Sequence, residues 1–307
     1  MKIELIDLKR HIKEVSSEFN IGIIEEVYDE KNLSNILGVS SLFNYKEKTI
    51  TWIRDKKTFE KVKIKEKIDF IIIPPEIEDR NNFINYIVTD KPQNLFSLLL
   101  EKIYLSNQII EEIGLNTIIG KTTKIGKNVK IGNNCTIEDN VTIGDGTIIG
   151  NNVIIKENTI IGEECVIQSG SIIGEAGFGF IELDNKIKRR MPHLGGVKIG
   201  KGVEIGANTC IVKGTLDDTI IEDYVKIDNL CHIAHNVKIG KNSFIVAHTL
   251  IGGSVVIEEN CWIATSVIRN LLTIGKNSLV GFGSIVVKDV GDNTIVLGNP
   301  AKPKIKY

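Results

Sequence analysis

Two histidines stand three apart in the stretch "IDNLCHIAHNVKIG", His232 and His235, and His248 follows. A neutral imidazole has an ordinary pKa of about 6.5, so near neutral pH it can take a proton from an attacking nucleophile. Three imidazoles that converge can instead hold a zinc ion. The choice depends on where each ring points, and the surrounding pattern bears on that. His235 lies two positions after Ile233, and His248 three after Ile245. Both isoleucines belong to a repeat whose isoleucine points inward, so both rings are expected to project outward. His232 reads as structural, His193 belongs to a segment outside the repeat from which it could approach a substrate or stay idle, and His11 receives no role.

The repeat is strict. Isoleucine occupies positions 119, 125, 131, 137, 143, 149, 155, 161, 167 and 173. A period of six matches neither an amphipathic helix at 3.6 nor an extended sheet strand. Gly, Asp, Glu and Asn crowd the position after each isoleucine, where a chain can bend. The fourth position after it takes Val, Thr, Ser or Cys, so it calls for a small side chain. Hexapeptide repeats are the signature of a parallel β-helix, in which short strands alternate with turns and isoleucine stacks on isoleucine from coil to coil. The predicted fold is mainly β, a left-handed parallel β-helix with a small N-terminal α/β domain.

The pattern resumes at Ile199 and runs through Ile205, Ile211, Ile221 and onward to Ile263, ending with Ile274, Val280 and Val286. Three departures stand out. Residues 175–196 carry no repeat and form an insertion. "VKGTLDD" between Ile211 and Ile221 is expected to bulge by four residues, and "TSVIRNLL" between Ile263 and Ile274 by five. Loops extruded from a rigid solenoid are where binding groups are usually mounted. Upstream, "KTITWIRD" and "KIDFIIIPP" read as strands. The segment beginning near Pro92 and Gln93 reads as a helix with Leu95, Leu98, Leu99 and Ile103 on one face. The expected organisation is an α/β nucleotide-binding domain at 1–105, a connector at 106–115, a β-helix at 116–290 and an irregular tail at 291–307.

Composition excludes several classes. Lys and Arg total 38 against 39 Asp and Glu, a formal charge of −1, so nothing favours nucleic acid or a membrane surface as partner. No run approaches the roughly 18 apolar residues that span a bilayer, and "MKIELIDLKRHIKEV" lacks the apolar core of a secretory signal. A cytoplasmic location is the expectation. The five cysteines form no CxxC pair. Cys135, Cys165, Cys231 and Cys261 occupy the small inward position and read as buried filler, with no metal expected.

Several stretches, in order, resemble one family: "GEAGFGFI" at 174–181, "MPHLGGVKIG" at 191–200, "VEIGANTCIVKGTLDDTIIEDYVKIDN" at 203–229 and "CHIAHNVKIG" at 231–240. The family is the UDP-3-O-(3-hydroxyacyl)glucosamine N-acyltransferases of lipid A synthesis. "TITWIRDKKTF" looks like its uridine-binding segment. The resemblance implies a homotrimer with active sites between subunits. It also implies acyl transfer from a thioester to the amine of a nucleotide-linked sugar, with no permanently bound cofactor. His235 matches the family's general base, and Asp228 looks like the partner carboxylate, with Asn229 beside it on the substrate side. Gly177, Phe178 and Phe180 fall in the region that borders the acceptor sugar. Trp52 would stack on a pyrimidine base, and Asp55 would accept from its N3–H. His248 would contact substrate across the trimer interface. If three hexapeptides close one coil, His235 lies beneath Gly253, preceded by Gly252, and the bare backbone there would leave room for a thioester arm. Lys213, Lys188, Arg189 and Arg190 could neutralise a diphosphate.

The chain also departs from that family. Trp52 and Asp55 replace Phe and Asn, Val212-Lys213 replaces Asp-Arg, and "IRNLL" stands where the family has a second histidine. The family's C-terminal helical extension, which helps grip acyl carrier protein, is missing, and "VLGNPAKP" looks like the ending of coenzyme-A-dependent sugar acetyltransferases. These differences lead to the expectation of a surface-glycan enzyme. It would use an acyl-CoA to acylate a dTDP- or UDP-linked amino sugar such as a 4-amino-4,6-dideoxy sugar. The alternative is the lipid A enzyme itself, with acyl carrier protein as donor. Zinc hydration chemistry on His232, His235 and His248 would leave the N-terminal domain and the GFGF insertion unexplained. A purely structural solenoid would want an uninterrupted face.

Overall fold

The computed structural model describes residues 3–29, 35–62, 67–105 and 113–304. The chain divides into two compact units, Met1–Ile109 and Ile110–Tyr307. The expected connector at 106–115 lies largely outside the described residues.

The first unit is α/β. Strands Gly38–Val39, Thr49–Trp52, Ile68–Ile73 and Phe83–Val88 run parallel in that spatial order, and Glu25–Val27 adds an antiparallel edge to Phe83–Val88. Ile68–Ile73 is buried along nearly its whole length because both sheet faces are covered. Helix Leu5–Glu18 buries Leu5, Leu8, Ile12 and Val15 at the 3.6-residue period. It shares a core with Leu95 and Leu99 of helix Pro92–Leu100 and with Phe70, Ile72 and Ile87 of the sheet. The opposite sheet face packs Ile71, Ile73 and Val88 with Leu42, Ile53 and Ile77.

The second unit is a parallel β-helix with three faces, named here in chain order. The first face starts with Ile118–Ile119, the second with Lys124–Ile125 and the third with Lys130–Ile131. Within the first face Ile118↔Thr136 and Thr136↔Ile154 are in register, eighteen residues per coil. Isoleucine from each coil stacks inward, as in the buried series Ile137, Ile155, Ile173, Ile211, Ile233 and Ile251. One coil has no interior of its own, so stability accumulates only as coils stack.

The small inward position does more than leave room. The Thr147 hydroxyl donates to the Gly162 carbonyl at 2.9 Å and the Ser171 hydroxyl to Gly206 at 2.8 Å. The thiols of Cys135, Cys165 and Cys261 point at the Gly150, Gly200 and Gly275 carbonyls from 3.0–3.1 Å. These side chains cap backbone oxygens of the neighbouring coil, a weak-donor use of cysteine that the filler reading missed. Burial pushes the Cys165, Cys231 and Cys261 thiols up, which keeps them unreactive. At the turns, the third residue after isoleucine adopts positive φ. Asn fills it at 128, 134, 140, 152, 208, 236, 242 and 260, because a short amide tolerates that region better than other side chains do.

Three expectations about the coils need correction. "TSVIRNLL" is not a five-residue bulge. It contains the strand Ser266–Ile268, with Ile268 buried in the core, and Leu250 pairs with Val267, seventeen residues on. The corner has lost one residue, which shifts the next isoleucine out of phase. The β-helix also does not end at 290: Val290 and Val296 continue the buried stack. Accordingly the tail is not irregular, since Ile295–Leu297 extends the third face and pairs antiparallel with Lys302–Lys304. Its spacing is shortened to sixteen, Leu279↔Ile295, which hides the repeat. The bulge after Ile211 and the insertion stand as expected; within the insertion Phe180–Glu182 and Lys188–Arg190 form a hairpin.

Candidate functional site

His235 sits at the corner between the first and second faces, after strand His232–Ile233 and before Lys238–Ile239. The next residue, Asn236, takes the positive-φ position with φ 61°. The bulge after Ile211 folds onto this corner. The Thr215 N–H donates to Asn236 Oδ1 at 3.1 Å, and Asn236 Nδ2 donates to the Asp217 carbonyl at 3.2 Å. The amide is therefore oriented from both ends. Its Oδ1 can only accept, so His235 Nδ1, 3.1 Å away, must carry a proton. Nε2 is left with a lone pair, the form a general base requires.

Gly253 lies one coil further along. A Cβ there would stand 2.7 Å from both Cε1 and Nε2 of His235. Glycine at 253 is thus what leaves the Nε2 edge of the ring uncovered, which supports an approach path for a ligand. Gly252 has another duty: its Cβ would meet the Asn270 backbone nitrogen at 2.5 Å, so it is a packing glycine.

Both departures from the period converge on this corner. The insertion returns through Leu194 and Gly195, whose N–H groups donate to the Thr215 and Gly214 carbonyls of the bulge. That return places His193 against His235, with ring centroids 5.7 Å apart in an edge-to-face arrangement. The GFGF turn closes over His193. Gly177 and Gly179 are required by contact, since their Cβ atoms would stand 2.7 Å from His193 Nε2 and 2.9 Å from its Cε1. Phe178 projects outward, 91 % exposed. Its ring meets Phe180 at 4.9 Å, and the Arg190 guanidinium lies over Phe180 at 5.0 Å.

Other expected site residues are elsewhere. Asp228 occupies the corner between the third and first faces, one turn before His235 and on a different edge of the prism. Its carboxylate accepts from the N–H groups of Asn229 and Ala247, so within one chain it does not orient His235. Asn236 does. Asn229 Oδ1 accepts from Ala207 N–H at 2.6 Å, a turn-pinning role. His248 shares the Asp228 corner, exposed, at φ 61°. His232 faces outward from the first face between Cys210 and Leu250, so within one chain the three histidines do not converge. Among the described residues no cluster of three or more His, Cys, Asp or Glu side chains is disposed to hold a metal.

In the first unit, Trp52 stacks on Phe96 with centroids 6.0 Å apart. Asp55 caps helix Lys56–Lys61, accepting from Thr58 N–H at 2.7 Å, and that contact lowers its carboxyl pKa. Lys213 is buried and pairs with Glu157 at 3.4 Å. Lys188 pairs with Glu182, and Arg190 donates to the Gly177 carbonyl.

The model for the bacterial transferase hexapeptide (six repeats) matches residues 112–144, 140–175 and 218–253, the last stretch containing His235. Over those residues the chain carries hexapeptide repeats of the bacterial transferase type. It is 54% identical over 90 residues to the UDP-3-O-acylglucosamine N-acyltransferase 2 of Legionella pneumophila (strain Lens), covering 29% of this chain and 26% of that protein. It is 42% identical over 127 residues to the UDP-3-O-acylglucosamine N-acyltransferase of Bordetella parapertussis, covering 40% and 35%. The matched part of the chain thus spans well under half the length of these curated relatives. LpxA from Acinetobacter baumannii superposes with a TM-score of 0.56 at 27% identity over 63% of this chain and 74% of that one. The UDP-N-acetylglucosamine O-acyltransferase of Moraxella catarrhalis gives 0.54 at 26%, over 62% and 72%. The left-handed β-helix is the shared fold, and the relatives are acyltransferases.

These relatives overturn the expectation of an acyl-CoA enzyme for a dTDP- or UDP-linked dideoxy amino sugar. They are named for UDP-3-O-acylglucosamine. Three of the departures that suggested otherwise now have local explanations: Asp55 is a helix cap, Lys213 is buried and pairs with an exposed Glu157, and "IRNLL" runs from the end of a strand into the next corner.

Proposed function

We propose that the chain is an N-acyltransferase acting on a UDP-linked 3-O-acylglucosamine, with an acyl carrier protein thioester as donor. The observation that carries the reading is the fixed tautomer of His235, an uncovered Nε2 lone pair beside Gly253. The sugar amine attacks the thioester carbonyl and forms the C–N bond. His235 Nε2 takes the amine proton. The C–S bond of the tetrahedral intermediate breaks, and the imidazolium returns the proton to the leaving thiolate. Asn236 holds the ring through both transfers.

A homotrimer is part of the proposal. The first face presents Leu250 and Val267 outward, and the third presents the stacked pair Phe244 and Trp262, centroids 5.0 Å apart. Packing one upon the other would cover both. It would also bring the corner carrying Asp228 and His248 of the partner subunit towards the corner of His235, the arrangement in which those residues serve the site. Trp52 is the base-stacking candidate of the first unit through the ring face not taken by Phe96. No helix among the described residues is long and apolar enough to cross a membrane, and a cytoplasmic site of action belongs to the same reading.

The test is direct. Purified chain is incubated with UDP-3-O-acylglucosamine and either 3-hydroxyacyl carrier protein or the corresponding acyl-CoA. Amide product from the carrier protein supports the reading, and product from neither donor refutes it. Sedimentation of the same sample reports the assembly.

A further inference from the structure

His193 is buried, 9 % exposed, and one of its two nitrogens has no partner. Nδ1 lies 3.0 Å from the Met191 carbonyl. A carbonyl only accepts, so Nδ1 carries the proton and Nε2 holds a bare lone pair. A buried acceptor left without a donor is costly and is a marker of something absent. The nitrogen is buried against Gly177, where a Cβ would stand 2.7 Å from it. The turn above carries Phe178, whose exposure leaves its tip without a core anchor.

We propose that His193 is a second substrate-contacting imidazole, whose Nε2 accepts an N–H of the sugar amine while His235 Nε2 accepts the other. The proposal rests on the N-acyltransferase reading above. A neutral primary amine has two N–H bonds and one lone pair. Holding both N–H bonds leaves the lone pair a single direction, towards the thioester carbonyl. Two such bonds of about 2.9 Å, opened at the tetrahedral angle, separate their acceptors by roughly 4.7 Å. Rings with centroids 5.7 Å apart can present two nitrogens at that spacing. The sugar enters by lifting the Gly177–Gly179 turn. A hydroxyl acceptor has one O–H and satisfies only one of the two rings, so the pair also favours an amine over an alcohol.

The variants His193→Phe and His193→Gln separate this role from simple packing. Phenylalanine keeps a ring against His235 but has no acceptor; glutamine keeps an acceptor oxygen. With UDP-3-O-acylglucosamine as probe, His193→Phe is expected to lower kcat/KM for the sugar about tenfold or more, mainly in kcat. His193→Gln should recover most of that loss. Wild-type kinetics in His193→Phe would overturn the proposal. Long-range 1H–15N spectra of the wild-type chain give a readout that needs no variant. Saturation with the sugar alone should shift the His193 Nε2 resonance, and an unmoved resonance overturns the proposal even if His193→Phe fails to fold. A wild-type chain that acylates no such sugar removes the underlying reading before any variant is compared.

Discussion

Asn236 Oδ1 stands 3.1 Å from Nδ1 of His235, the residue before it in the chain. The partner of the candidate base is therefore an amide, fixed by the bulge at Thr215 and Asp217, and not a carboxylate. An amide sets the tautomer without adding charge.

Replacing Asn236 with Asp tests that distinction. A carboxylate beside Nδ1 favours the imidazolium and so raises the His235 pKa, by on the order of one unit. The neutral, active form then prevails only at higher pH. The acid limb of the kcat/KM profile should move up by a similar amount, and an unshifted profile would separate Asn236 from the chemistry.

His235→Ala should lower kcat by roughly 10²–10⁴, the usual worth of a general base. Circular dichroism and the melting temperature should stay close to wild type, because the ring lies at a corner and outside the isoleucine stack. Near-normal turnover would mean that another group takes the amine proton.

Gly253→Ala places a Cβ 2.7 Å from Nε2. The backbone at 253 does not require glycine, so the cost falls on the ring, which must move. A displacement of about 1 Å at a catalytic group can cost 10²-fold, and kcat should fall by about that factor with little change in unfolding midpoint. Gly252→Ala should do the reverse, destabilising the chain through the Asn270 backbone.

Ile155 is fully buried in the stack, far along the chain from the corner of His235. Ile155→Ala should cost about 2–5 kcal/mol by chemical denaturation. If unfolding proceeds coil by coil, hydrogen exchange should rise first in the coils adjoining Ile155.

Packing around the His232 imidazole holds its pKa below the ordinary value. The folded chain then binds that proton more weakly than the unfolded one. Stability should therefore fall as pH drops through the ordinary imidazole range, about 6.5. His232→Gln should flatten that part of the curve of melting temperature against pH.

The β-helix was legible because a six-residue period leaves one inward position for isoleucine and one for a small residue, and both recur. His235 was legible from its offset to Ile233. What escaped the sequence are relationships between coils. Asn236 looked like one more turn residue among many asparagines, and only the bulge that meets it gives it a task. His193 sat in a segment with no period, so the sequence could offer it to a substrate but could not place it beside His235 until the insertion returned along Thr215. Asp228 lies apart from His235 within one chain because seven residues in sequence is one full edge of the prism, and only a second chain could bring the two together. The shortened corners before Ile268 and Val290 hid real strands behind a phase change of one or two residues.

The insertion and the bulge leave the isoleucine stack in place: Ile173 still pairs with Ile211, and Ile211 with Ile233, with the register slipping only locally between Ile173 and Glu175. A corner can thus be lengthened without passing any error to the next coil. Chemistry on such a scaffold can be rewritten one hairpin at a time, with the stacked interior serving as an unchanged spine.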